Sequence, residues 1–143
     1  MPKHISVGAI LVRAGTVLLG KRSPTRQLCP GVWDLVGGHV ELGETPEDTL
    51  VRELQEELGI TPRAFVKLHV LGDPQLPSNE HACHVFAVTE WDGEPRNRQP
   101  EEHTEIRWIS FGDALRLELA HPQYAAIFAR LAVSLPTRRG MLD

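Results

Sequence analysis

The chain has 143 residues, 41% hydrophobic and 24% charged, with 3 Trp and 4 Phe available to a core. That length fits one self-sufficient domain, and the composition excludes a disordered or repeat protein. Lys and Arg total 15 against 19 Asp and Glu, a formal charge of -4. This balance argues against DNA or RNA polymers as partners, yet permits a small phosphorylated ligand where a divalent cation inverts the local potential.

Residues 4–12 alternate as a strand, with Ile5, Val7, Ala9 and Leu11 on one face. Ala14-Gly15 is a tight turn and Thr16 to Leu19 the returning strand. A polar loop broken by Pro24 and Pro30 follows, and Trp33 to Val40 reads as one strand carrying Gly37-Gly38. Thr45, Pro46 and Asp48 then spell a capped helix start, with Gly59 as its left-handed stop after Leu58. Leu50, Val51, Leu54 and Leu58 form its inward face. Phe65 to Leu71, Ala82 to Val88 and residues 105–109 suit three further strands, with a turn at WDGEP. Ser110 with Asp113 caps a short helix through Leu119, and His121-Pro122 opens a final helix with Ala125, Ala126, Ile127, Phe128, Leu131 and Ala132 as its apolar positions. Residues 1–135 are expected to form the single domain and 136–143 a flexible tail. Strands around a central helix, with a terminal helix for the other face, predict an α/β layered domain.

Cys29 and Cys83 are too far apart in sequence for a metal-type pair and too few for a disulfide framework. The Met-Pro-Lys-His opening and the alternating segment after it are not expected to act as a signal peptide, and no stretch approaches the roughly 20 apolar residues of a membrane span. A cytoplasmic protein without a membrane partner is expected.

The chemistry lies between Gly38 and Ile60, GHVELGETPEDTLVRELQEELGI. At about 100° per residue, Glu53, Glu56 and Glu57 share a helix face beside the leucine stripe. Like charges at such spacings repel. A hard divalent cation with oxygen ligands, such as Mg²⁺, would compensate them, and the Gly37-Gly38 backbone is free to approach it. Arg52 can hold Glu53 or Glu56 by a bidentate contact, and Glu44 folds back toward them from the entry loop. A solvated acidic face remains the alternative at this point.

The string G-x5-E-x7-R-E-U-x-E-E-x-G-U, with U aliphatic, is met at Gly38, Glu44, Arg52, Glu53, Leu54, Glu56, Glu57, Gly59 and Ile60. It resembles the signature of the Nudix hydrolases. The strand pair ending at Lys21-Arg22, the WDLVGG entry, the WDGEP turn and the EEHTEIRWIS segment look like the MutT-type branch. The resemblance implies an α/β/α sandwich with a mixed sheet between helices, and Mg²⁺- or Mn²⁺-dependent hydrolysis of a nucleoside diphosphate derivative. It makes Glu56 and Glu57 the principal metal ligands, Glu53 a ligand or proton acceptor, and Arg52 the residue that orients a glutamate. Gly37 supplies a backbone carbonyl to the metal. Glu101, Glu102 and Glu105 compete for a further ligand or base, with Glu102 favoured. Glu44 joins the catalytic set. Arg22 is assigned to the substrate phosphate, and His39 and Trp33 lie close to the expected substrate pocket.

The implied reaction opens a diphosphate bridge, with a (d)NTP or an oxidised purine (d)NTP as first substrate and NMP and pyrophosphate as products. ADP-ribose or a nucleotide sugar is the second reading, and a non-catalytic nucleotide-binding module the third. The only tyrosine, Tyr124, lies too far downstream to mark the dinucleoside-polyphosphate members. No asparagine in the AHPQY segment matches the one that reads oxidised guanine. His81 and His84 fall on opposite faces of a strand and do not read as a zinc site, while Cys83 reads as a core thiol. A monomer or a homodimer is expected.

Overall fold

The computed structural model describes residues 4–25, 31–72 and 80–134. The first strands are β1 (His4–Arg13) and β2 (Thr16–Arg22), then β3 (Trp33–Asp34) and β4 (Val36–His39). Helix α1 (Pro46–Leu58) precedes β5 (Thr61–Leu71), β6 (His81–Asp92) and β7 (His103–Ser110), and α2 (Phe111–Ala114) and α3 (Tyr124–Ser134) follow. The expected tail, 136–143, lies outside the described residues.

One edge of β1 changes partner along its length. Residues Ser6 to Ala9 pair with β4, whereas Val12 and Arg13 pair with β2, both antiparallel. The other edge runs parallel to β6, which makes the sheet mixed. The order is β3-β2-β1-β6-β5, with β4 also on β1 and β7 on β2. The expected single strand at Trp33–Val40 is therefore two. Trp33 pairs with β2 and Val36 with β1, and Leu35 between them buries its side chain instead of extending either ladder.

Alternation on β1 builds two core layers. Val7, Ala9 and Leu11 face α1 together with Leu18, Phe86 and Val88, against Leu50, Leu54 and Leu58 of the helix. Ile10 faces the opposite layer, where Phe111, Tyr124, Ile127, Phe128 and Leu131 cover the sheet. Each fully buried leucine adds roughly 2 kcal/mol through lost apolar exposure. The α/β/α sandwich with a mixed sheet is thus the observed architecture.

Helix α1 begins and ends where its local chemistry dictates. The Thr45 side chain accepts from Asp48 N, the Asp48 side chain accepts from Thr45 N, and Gly59 closes the helix at φ 73°. Its buried face differs slightly from expectation: Val51 is only half-buried, while Thr49 and Glu57 are buried. The second helix stops at Ala114 rather than Leu119. Trp33 N donates to Glu118 O at 2.9 Å and Ala120 N to Trp33 O at 2.8 Å, so residues 118–120 bond to β3 instead of continuing a helix. In α3, Ala126 and Ala132 are exposed, while Tyr124, Ile127, Phe128 and Leu131 form the buried stripe.

Candidate active site

Arg52 gathers the carboxylates of the acidic segment. Its Nε donates to Glu44 Oε2 at 2.7 Å and its NH2 to Glu44 Oε1 at 3.1 Å, while NH1 donates to Glu53 Oε1 at 2.8 Å and to Glu56 Oε1 at 3.3 Å. NH2 also reaches the His39 carbonyl at 3.0 Å, and Glu41 stands 3.8 Å away. Glu44 is fixed from its other side by the Thr49 hydroxyl at 2.7 Å and the Glu41 amide at 3.0 Å. These donors hold its carboxyl well below the usual range, at about 2, with the Arg52 contact the largest cause. The same carboxylates raise the Arg52 pKa further, so its charge is permanent.

Two glycines bring β4 under this cluster. A Cβ at Gly38 would fall on the Glu53 carboxylate, and one at Gly37 would strike the Val7 carbonyl of β1. The pair therefore allows the sheet to close and the Glu53 carboxylate to lie directly against the backbone of β4.

Glu57 has the opposite environment to Glu44. Its side chain is 2% exposed, and among the described residues neither carboxylate oxygen has a hydrogen-bond partner. Burial, then the neighbouring Glu53 and Glu102, push its pKa up to about 10. A buried, unpartnered carboxylate facing two more is costly as a finished arrangement and suited to a hard cation. Among the described residues no three His, Cys, Asp or Glu side chains stand close enough together, as placed, to hold a metal ion. The donor chemistry nevertheless fits a divalent ion held by Glu57 with Glu53 and Glu102. Glu56 is 48% exposed and shares the Arg52 NH1 donor with Glu53.

The structure sorts the remaining expected residues. Glu102 is the one of three candidates that meets Glu57; Glu101 is exposed and Glu105 pairs with Arg107 at 2.6 Å. Arg22 donates to Asp34 Oδ2 at 2.9 Å, with the two side chains only 13% and 17% exposed. Trp33 is buried in the α3-side core with Arg107 over its ring, which leaves it little face for stacking on a base. The His39 side chain is exposed. Cys83 is half-buried against the α3-side core rather than within it, and burial pushes its thiol up to about 11.

Two features escaped the sequence reading. Asp34 is held by Arg22, by its neighbour's amide at Leu35 and by the Tyr124 hydroxyl at 2.8 Å. A carboxylate inside the apolar WDLV string was the available signal. His103 is 5% exposed beside Glu57, and its only signal was adjacency to Glu102.

The chain matches the NUDIX domain over residues 2–131 and belongs to that family. Its class is pyrophosphohydrolase, an enzyme of phosphoric anhydride bonds. It is 35% identical over 109 residues to an 8-oxo-dGTP diphosphatase of Escherichia coli (strain K12), across 75% of this chain and 79% of that protein. It is 33% identical over 129 residues to a CTP pyrophosphohydrolase of the same organism, across 89% and 90%. The crystal structure of a MutT NUDIX hydrolase from Burkholderia pseudomallei superposes with a TM-score of 0.70 at 33% identity, covering 78% of this chain and 85% of that one. No helix among the described residues is long and apolar enough to cross a membrane.

Proposed function

We propose that the protein hydrolyses a nucleoside triphosphate, a (d)NTP or its oxidised purine form, to NMP and pyrophosphate with Mg²⁺ or Mn²⁺. The observation that carries this reading is Glu57, buried without a hydrogen bond against Glu53 and Glu102. A divalent cation bound there would neutralise diphosphate oxygens and acidify a water. Glu57, Glu53 and Glu102 would hold it, with Glu56 and the Gly37 carbonyl completing the assigned set.

The chain's own groups supply the rest. Glu53 or Glu102 accepts the proton of the attacking water, and Glu44 and Arg52 hold Glu53 in place. Arg22, at the end of β2, is assigned to the substrate phosphate, and His39, exposed at the end of β4, to substrate contact. The proposed domain spans residues 1–135.

A panel of nucleoside triphosphates, ADP-ribose and nucleotide sugars, with and without chelator, tests this reading. NMP and pyrophosphate from a triphosphate, with ¹⁸O from water in one of them, is the expected result. Orthophosphate and NDP as first products would overturn the cleavage position. Undiminished turnover in chelator would overturn the metal requirement, and a much higher kcat/KM for ADP-ribose would replace the substrate.

A further inference from the structure

His103 is buried beside the carboxylates yet has no part in the reaction just described. Its Nδ1 stands 3.8 Å from Glu57 Oε1, too long for a hydrogen bond but close enough for a small rotation to make one. The ring lies flat against β2, where a Cβ at Gly20 would come within 2.6 Å of its Cδ2. Glycine at that position gives the imidazole its seat.

One short loop fixes both backbones. The Asn97 side chain donates to the His103 carbonyl at 2.8 Å, and Arg98 N donates to the Glu57 carbonyl at 2.9 Å. The end of α1 and the start of β7 are thereby tied by neighbouring residues. Among the described residues Glu57 receives no hydrogen bond on either carboxylate oxygen. The imidazole edge is thus placed to donate to Oε1, which selects the Nδ1–H tautomer.

We propose that His103 is a positioning residue for Glu57: its Nδ1–H steadies Oε1 and so fixes how the carboxylate meets a divalent cation. The inference rests on the metal-dependent reading above. Groups that orient a ligating carboxylate commonly change metal affinity about 10- to 100-fold when removed.

Mn²⁺ affinity without nucleotide, read by titration with electron paramagnetic resonance, separates positioning from packing. His103→Phe keeps a flat ring and removes the N–H; it should fold, as judged by circular dichroism, and bind Mn²⁺ about 10-fold more weakly. His103→Asn returns an N–H close to the Nδ1 position and should recover most of that loss. With nucleotide, kcat should fall in the same order while KM stays within about two-fold. Wild-type Mn²⁺ affinity in the Phe variant would overturn the proposal. Should that variant fail to fold, Gly20→Ala, which lifts the ring from its seat, must weaken Mn²⁺ binding; unchanged affinity there overturns it equally. A wild-type protein that binds no Mn²⁺ overturns the metal reading and this inference together, an outcome distinct from equal affinities.

Discussion

Arg52 grips Glu44 side-on, Nε to one carboxylate oxygen at 2.7 Å and NH2 to the other at 3.1 Å. This two-point contact leaves NH1 directed at Glu53, 2.8 Å away. The orientation of Glu53 therefore depends on a guanidinium anchored outside the helix, and the loop carboxylate acts through that anchor.

Replacing Arg52 with Lys keeps a positive charge and loses the fork. Glu44 and Glu53 cannot then both be held in the present geometry. The expected result is a kcat lowered about 100-fold with a KM changed much less, because the misplaced group acts on the reacting atoms. Steady-state kinetics at saturating Mg²⁺ checks this; a raised KM with normal kcat would place Arg52 in substrate binding.

Gly38→Ala tests the seat of Glu53. The added methyl falls on that carboxylate, so the side chain must leave β4. Activity should drop by at least about ten-fold, since the proton acceptor or ligand is displaced from its near-attack position. Far-ultraviolet circular dichroism should remain that of the wild type. An alanine variant of normal activity would show that Glu53 works from elsewhere.

The two halves of the site differ in how far they could be read from the chain alone. Helix α1 was legible to the residue because Thr45, Pro46, Asp48 and Gly59 act within a turn of their own positions. The gathering of Glu44, Glu53 and Glu56 on Arg52 is nearly as local. The Glu102–Glu57 approach was expected through resemblance, since nothing within either segment specifies it. Asp34 of β3 and Tyr124 of α3 meet across 90 residues, and the packing of that helix on the sheet leaves no local trace in sequence. The split at Leu35 and the short α2 have the same origin: pairing with β1, β2 and β3 overrode continuous local patterns.

Glu57 sets a pH dependence on the metal-free protein. Its folded pKa, about 10, lies above the ordinary value of 4.5, so the folded state keeps a proton that the unfolded chain has released. Stability from this group is full below about 4.5 and is lost as pH rises through the folded value. Glu44 has the opposite sign: its pKa of about 2 gives stability present above 4.5 and lost as pH falls toward 2. In chelator, the wild-type Tm should decline between about pH 5 and 9. Glu57→Gln should flatten that decline and melt no lower than wild type near neutrality, while its hydrolytic rate falls by orders of magnitude. Thermal scans of both proteins in chelator check the first two statements; a parallel pH slope in the variant would show that Glu57 does not carry it.

Arg22 holds a structural and an assigned substrate role at once, and the two can be separated. Removing one member of a largely buried ion pair strands the other. Arg22→Ala leaves Asp34 with the Tyr124 hydroxyl and the Leu35 amide but no cation. Stability should therefore drop by about 2 kcal/mol, below the roughly 3–5 kcal/mol of a fully buried broken pair because both side chains retain some exposure. Adding Asp34→Asn removes the stranded charge and keeps an oxygen able to accept from Tyr124, so part of the loss should return. The substrate role predicts something else. If Arg22 meets the phosphate, KM should rise in the single variant and stay high in the double variant, since restored stability brings back no cation. Urea unfolding and steady-state kinetics on wild type, Arg22→Ala and Arg22→Ala with Asp34→Asn distinguish the two. A KM that returns to the wild-type value together with stability would assign Arg22 to the fold alone and remove it from the substrate site.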